Sequence, residues 1–275
     1  MNEAIQTGFL AIIAAFVLWF GWKKGFFRWS PLPWNGGVHL KHVLLVFALY
    51  FAVSFVFVPL LRPLFNSLQP IGIFSWLNFL ITATILASLT LVVWISRLHI
   101  WHSPNQKNYT LDFQMGFYAW CLSFPLVLLI TKLLEELVYL IFNVTVLPDQ
   151  IAVQFVKMTF EYPSYFAMAV FTIVILTPFV EELLFRGFLQ SFIRKHLGSK
   201  QAIVITSACF SLFHYSFDQG LANIPIVGAL FFLALFLGFL YEKQGSLFAP
   251  ISLHALFNAI SILNLYFFGG FQCFF

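Results

Sequence analysis

Two adjacent carboxylates, Glu181 and Glu182, lie within one of the most apolar runs of this sequence, ILTPFVEELLFRGFLQSFIRK, and Arg186 follows them. Each ionisable side chain costs several kcal/mol in hydrocarbon unless it is paired or in contact with water. Two histidines, His214 and His254, follow in later apolar segments. Carboxylates and imidazoles can move a proton to and from water, so these residues predict hydrolytic chemistry inside a membrane.

The spacing of the three charged residues assigns them different roles. Glu182 and Arg186 are four positions apart, so they share a helix face and can form an ion pair. Glu181 points about 100° away from Glu182 on the same helix, which leaves it free to act on a substrate. Glu181 is therefore the candidate general base that activates water, and the other two are supporting residues.

The two histidines each have a neighbour four residues away. Phe210 precedes His214 in FSLFH, so its ring can pack beside the imidazole and fix its orientation. His254 and Asn258 share one helix face in HALFN and offer two side-chain donors. Two donors directed at one point are what a developing oxyanion requires.

Each of these residues also has a purely structural interpretation. Intramembrane histidines and asparagines commonly form hydrogen bonds between helices, and an ion pair inside a bundle can simply hold it together. A second acidic pair, Glu135 and Glu136, has Lys132 beside it and Leu140 where an arginine would have to stand. We interpret this second pair as a structural or interfacial cluster. The functional hypothesis depends on all the later residues occurring together.

The composition indicates that membrane-spanning segments must position these residues. Of the 275 residues, 61% are hydrophobic and 9% are charged, and the mean hydropathy is +0.92, which excludes an ordinary soluble domain. The formal net charge of +4 gives no reason to expect nucleic-acid binding. No long polar segment separates the apolar runs, so residues 1–275 are predicted to form a single membrane domain.

The fold class is predicted to be all-α, a polytopic integral membrane bundle of about eight transmembrane helices. Residues 1–140 form the variable N-terminal spans, and the catalytic core covers about 164–268. The expected spans are 4–22, 42–61, 71–96, 113–134, 164–192, 201–216, 221–241 and 247–268.

Lysines and arginines orient this bundle. With eight spans and the N-terminus outside, the inner connections carry ten of them and the outer connections carry two, Arg62 and Lys157. This bias predicts an N-out, C-out protein.

The orientation also gives the depth of the candidate residues in the membrane. At about 1.5 Å of rise per residue, Glu181, His214 and His254 lie roughly 20, 21 and 16 Å from the inner charged boundary. Their similar depth predicts a single site. The ten inner residues are Lys23, Lys24, Arg28, Lys41, Arg97, Lys107, Arg194, Lys195, Lys200 and Lys243.

Three motifs in order carry a resemblance to a known family. Glu181 to Arg186 matches EExxxR, Phe210 to His214 matches FxxxH, and His254 to Asn258 matches HxxxN. In this order they resemble the CPBP intramembrane protease family, which includes type II CAAX prenyl endopeptidases and bacteriocin-processing, immunity and abortive-infection-like proteins. The resemblance covers roughly residues 164–268.

The resemblance implies roles for the matched residues. Glu181 and His214 would activate the attacking water, and His254 with Asn258 would stabilise the oxyanion. Glu182 and Arg186 would hold their helix in place. The family has also been described as metalloproteases, in which case Glu181, His214 and His254 would be the zinc ligands and leave one position open. The preferred hypothesis has no cofactor, and zinc is the alternative.

The predicted function is therefore an intramembrane endopeptidase that acts on a peptide or membrane-protein substrate. Two other classes stay open: a catalytically silent immunity or scaffold protein, and a transporter that uses the same residues as a proton relay. Nothing in the sequence selects a prenylated substrate or indicates an oligomeric state. The multi-pass helices place the protein in a lipid bilayer, and the family's many bacterial members favour a bacterial plasma membrane.

Overall fold

The computed structural model describes residues 3–29, 37–65, 67–103 and 108–269. Within these ranges the chain is helical and contains no β-strand, apart from an isolated antiparallel bridge between His102 and Ser246. The predicted all-α membrane architecture is confirmed.

Nine helices follow one another along the described part of the chain. They are α1 (Glu3–Lys23), α2 (Leu40–Leu61), α3 (Pro70–Ile95), α4 (Tyr109–Phe142), α5 (Ile151–Thr159), α6 (Pro163–Leu197), α7 (Ser199–Phe213), α8 (Asn223–Gln244) and α9 (Phe248–Phe268).

Six of the described helices are long and apolar enough to cross a membrane, namely α1, α2, α3, α6, α8 and α9. The predicted count of eight is therefore not confirmed. The other two predicted spans correspond to the 34-residue α4 and to α7. Helix α7 has 15 residues and is about 22 Å long, shorter than a hydrocarbon core of about 30 Å. It ends just before His214, which brings that histidine to a helix end inside the bundle.

Helix α6 is wound irregularly on both sides of the acidic pair. Thr172–Leu176 and Leu183–Gln190 are π-helical, and the α-helical stretch Thr177–Glu182 lies between them. A π-turn inserts an extra residue and rotates the side chains that follow it, and such turns are frequent at functional sites. The two carboxylates are thus held on a short α-helical stretch between two altered turns.

The interior of the bundle is formed by the later helices. In the most apolar windows of α6 and α9, half of the residues are buried, against 11% in α1 and 17% in α2. In α6, Leu183, Leu184, Phe185 and Phe188 are almost completely buried. Helices α1 to α3 therefore lie at the periphery, with much of their surface available to lipid.

Two contacts fix the ends of the core helices. Gly116 of α4 lies so close to α9 that a Cβ there would come within 2.9 Å of the Ala249 carbonyl oxygen. At the C-terminal end of α6, Arg194 Nη1 lies 3.3 Å from Glu242 Oε2, and Gln190 Nε2 donates to Glu242 Oε1 at 2.9 Å. These contacts join α4 to α9 and α6 to α8.

Candidate active site

Glu182 and Arg186 form the ion pair that their spacing predicts. Arg186 Nη1 donates to Glu182 Oε1 at 3.0 Å, and neither side chain is exposed. Arg186 Nη2 also donates to the Ala234 carbonyl of α8 at 3.2 Å, and the guanidinium carbon lies 4.5 Å from the centroid of the Phe210 ring of α7. Through Arg186, the buried ion pair therefore connects α6 to both α7 and α8.

Glu182 has a second partner that sequence reasoning missed. His254 of α9 donates from Nδ1 to the same Glu182 Oε1 at 2.8 Å. The two residues are 72 positions apart, so no local spacing could indicate the bond. The hydrogen bond at Nδ1 fixes the orientation of the His254 ring. In this orientation the other ring nitrogen, Nε2, faces Glu181.

Glu181 differs from Glu182 in its contacts. Its Oε1 lies 3.7 Å from His214 Nε2, and its Oε2 lies 3.7 Å from His254 Nε2. Both distances are too long for a direct hydrogen bond and suit a bridging water. Oε2 has no hydrogen-bond partner among the described residues, and the side chain is 14% exposed. The structure thus brings Glu181, His214 and His254 together and leaves Glu181 Oε2 without a direct hydrogen bond.

His214 is oriented by the turn that ends α7. Its Nδ1 donates to the Phe210 carbonyl at 2.9 Å, and its ring centroid lies 4.8 Å from that of Phe210. The packing of the two rings is the contact predicted from FxxxH. In the neutral form, both His214 and His254 carry their proton on Nδ1, so each offers Nε2 as a proton acceptor beside Glu181.

Asn258 lies one turn beyond His254 on α9 and is buried. Its Nδ2 donates to the Ile173 carbonyl at 2.9 Å, within the first π-turn of α6. One amide hydrogen therefore binds α9 to α6. The second amide hydrogen is the group that the predicted oxyanion role requires.

Helix α2 also borders the site, which the sequence did not indicate. The ring centroids of Phe47 and Phe185 lie 5.8 Å apart, and those of Tyr50 and Phe213 lie 5.1 Å apart. These aromatic contacts place α2 against the α6 segment and against the residue that precedes His214.

The second acidic pair lies on α4. Glu136 Oε1 accepts a hydrogen bond from the Thr7 hydroxyl of α1 at 2.9 Å. This contact agrees with the structural role that the sequence assigns to Glu135 and Glu136.

The zinc hypothesis requires Glu181, His214 and His254 as a ligand set. In the part of the chain that the structure describes, no group of three or more His, Cys, Asp or Glu side chains is placed to hold a metal ion. Zinc therefore stays the alternative hypothesis, and the mechanism proposed below is written for a water molecule without a metal.

A comparison with known families identifies the segment that contains these residues. Residues 163–260 match the family described as "Type II CAAX prenyl endopeptidase Rce1-like". This segment is therefore similar to that family. It begins at the first residue of α6 and includes every candidate residue on α6, α7 and α9. The resemblance drawn from the three motifs is confirmed over this segment.

One curated relative matches part of the chain. Over 88 residues the chain is 34% identical to "Uncharacterized protein YpbD" of Bacillus subtilis (strain 168). The match covers 32% of this chain and 41% of that protein, so the chain spans less than half the length of this relative. No solved structure matches the chain.

Proposed function

We propose that this protein is an intramembrane endopeptidase of the CAAX-endopeptidase type, in which Glu181 activates the water that attacks a peptide bond. One observation carries the proposal. Of two adjacent carboxylates, Glu182 is fully buried and its Oε1 is bonded to Arg186 and His254. Glu181 instead lies 3.7 Å from two imidazole Nε2 atoms, too far for a direct hydrogen bond to either. An unbonded oxygen alone does not distinguish Glu181, because Glu135 Oε1 of the second acidic pair also has no hydrogen-bond partner among the described residues. The two imidazole Nε2 atoms at 3.7 Å distinguish it.

The 3.7 Å distance between Glu181 Oε1 and His214 Nε2 suits a water molecule that donates one hydrogen bond to each. Glu181 takes one proton from this water as the oxygen forms a bond to the carbonyl carbon of the substrate. The same proton then passes to the amide nitrogen as the C–N bond breaks, which releases a carboxylic acid and an amine. His214, fixed through Nδ1 by the Phe210 carbonyl, accepts the second hydrogen bond of the water at Nε2.

The oxyanion requires hydrogen-bond donors. Asn258 can donate its second amide hydrogen without a change of charge. His254 can donate from Nε2 only when both of its ring nitrogens carry protons, and Glu182 at Nδ1 then pairs with the resulting imidazolium. The two residues together form the proposed oxyanion hole.

The scaffold and transporter hypotheses lack a comparable observation. A scaffold that binds a partner helix needs no carboxylate placed 3.7 Å from two imidazole Nε2 atoms. A proton relay would use Glu181 and both histidines, but it would not need the buried amide of Asn258. The proposed substrate is a peptide presented by the membrane, either free or as part of a membrane protein.

We also propose the N-out, C-out orientation in the plasma membrane of a bacterium, from the excess of Lys and Arg in the inner connections. Lys107, one of these residues, lies outside the described ranges. Labelling of single cysteines placed near Lys23 and Lys157 with a membrane-impermeant thiol reagent in intact cells tests this orientation. Only the second site should react.

Hydrolysis in isotopically labelled water tests the enzymatic proposal. The purified chain is reconstituted in liposomes with a library of membrane-anchored peptides, and the products are analysed by mass spectrometry in H₂¹⁸O. We expect cleavage with one ¹⁸O in each new carboxylate, and loss of both products in Glu181→Ala. Cleavage that persists at the wild-type rate in Glu181→Ala would assign the activity to other residues.

A further inference from the structure

A basic pocket lies at the C-terminal end of α6, the helix that carries the two carboxylates near its middle. It has a volume of about 560 Å³ and opens on the surface between the start of α2 and the end of α6. Six residues line it: His39, Leu40, Lys41, Phe192, Lys195 and His196. Both helices are among those long enough to cross a membrane, so the pocket lies where two spans reach the membrane boundary.

The charge of this pocket is uniformly basic. Lys195 Nζ lies 3.5 Å from His39 Nδ1, and the lining residues include two lysines, two histidines and no carboxylate. The neighbouring Arg194 does not add to this charge, because it turns into the bundle and pairs with Glu242. Ammonium groups and imidazoles that converge from two helices without an acidic partner favour an anionic ligand.

The surface beside the pocket is apolar. Leu40, Leu44 and Leu197 are 51%, 62% and 54% exposed, and Leu40 and Leu44 are one helical turn apart on α2. These side chains continue from the basic residues along the lipid-facing surface. A ligand that fits both parts carries a negative charge at one end and hydrocarbon at the other.

We propose that this pocket binds the phosphate headgroup of an anionic phospholipid such as phosphatidylglycerol. Lys41 and Lys195 contact the phosphate oxygens, and the acyl chains lie along Leu40 and Leu44. Basic pockets between transmembrane helices on the cytoplasmic side are suited to such headgroups. Under the proposed orientation this pocket faces the cytoplasm.

The bound lipid connects two helices that both border the candidate site. Helix α2 contacts the site through Phe47 and Tyr50, and α6 carries Glu181 and Glu182. A headgroup that bridges Lys41 and Lys195 therefore holds α2 against α6. This stabilisation is independent of whether the site cleaves peptides.

Native mass spectrometry and thermal unfolding of the purified full chain test the proposal. Phosphatidylglycerol and phosphatidylcholine with the same acyl chains are supplied in equal amounts. We expect phosphatidylglycerol to bind at least tenfold more tightly and to raise the unfolding temperature. Lys41→Gln with Lys195→Gln should lower its affinity on the order of tenfold or more. Lys23→Gln with Lys24→Gln, a basic pair at the end of α1 outside the pocket, should leave the affinity unchanged.

Three results would overturn the proposal. Equal binding of the two lipids by the wild type would show that the headgroup charge is not recognised, whatever the behaviour of the variants. An equal loss of affinity in the two double variants would indicate diffuse surface charge and no pocket. Inorganic phosphate or glycerol phosphate that reproduces the whole rise in unfolding temperature would identify a soluble anion as the ligand.

Discussion

Substitution of Glu182 by Gln is expected to destabilise the folded protein strongly, whereas the same change at Glu181 should have little effect on its stability. Glu182 and Arg186 are completely buried, and Glu182 also accepts the Nδ1 proton of His254. Removal of one partner from a buried ion pair costs about 3–5 kcal/mol because the other charge stays buried and uncompensated. Glu181 forms no direct hydrogen bond through Oε2, so Glu181→Gln should cost less than about 1 kcal/mol.

Thermal unfolding of the two variants in the same detergent measures this difference. At roughly 2–4 °C per kcal/mol for a chain of this size, Glu182→Gln should lower the unfolding temperature by roughly 10 °C. Glu181→Gln should unfold within a few degrees of the wild type.

A second substitution tests whether the loss of stability in Glu182→Gln comes from the uncompensated charge of Arg186. Arg186→Met in the Glu182→Gln background removes the uncompensated guanidinium and should restore at least half of the lost stability. Equal unfolding temperatures for the two single variants, or no recovery in the double variant, would refute the assignment of Glu182 as the buried support and Glu181 as the free base.

Three further results are expected. Asn258→Ala should lower turnover by about two to three orders of magnitude, the usual effect of removing an oxyanion donor, and an unchanged rate in steady-state cleavage would exclude that role. Gly116→Ala should destabilise the fold in a melting experiment by forcing α4 away from α9, whereas Gly8→Ala, where no atom lies within 4 Å of the added carbon, should not. Purified active protein should contain no stoichiometric zinc by elemental analysis and should survive exhaustive chelation; activity that is lost with zinc and restored by it would contradict the metal-free mechanism.

The convergence of the candidate residues could be predicted because polar side chains are costly inside a membrane. Glu181 and His254 lie on α6 and α9, and His214 directly follows α7. Inside a hydrocarbon layer these polar side chains find few hydrogen-bond partners other than one another. Helix rise from the charged boundaries placed them at similar depths, and the structure brings Glu181 to 3.7 Å from each imidazole.

The details of α6 could not be predicted in the same way. Arithmetic at 100° per residue assumes a regular α-helix, and nothing in the apolar stretches TIVIL and LLFRGFLQ signals a π-turn. One of these π-turns presents the Ile173 carbonyl to Asn258. The bond between Glu182 and His254 is likewise a consequence of tertiary packing across 72 residues.

The number of spans was inferred from runs of apolar residues, which do not report where a helix stops. The apolar run of α7 continues to Phe213, but the chain then turns and forms a 3₁₀ segment at Phe217–Ala222, in which Gly220 has a φ of 50°. Glycine adopts this conformation readily. Because α7 ends at Phe213, the helix is shorter than predicted, and His214 lies in the turn beside Glu181.

Peptide cleavage by Glu181→Gln and Glu135→Gln, measured side by side in liposomes, tests the central claim most directly. Both substitutions remove one carboxylate charge from the first member of a Glu–Glu pair and preserve its shape. The structure predicts that Glu181→Gln is folded and inactive, because the base next to His214 and His254 is gone, and that Glu135→Gln cleaves at nearly the wild-type rate. An active Glu181→Gln together with an inactive Glu135→Gln would show that the catalytic carboxylate lies on α4 and that the site described on α6 is structural.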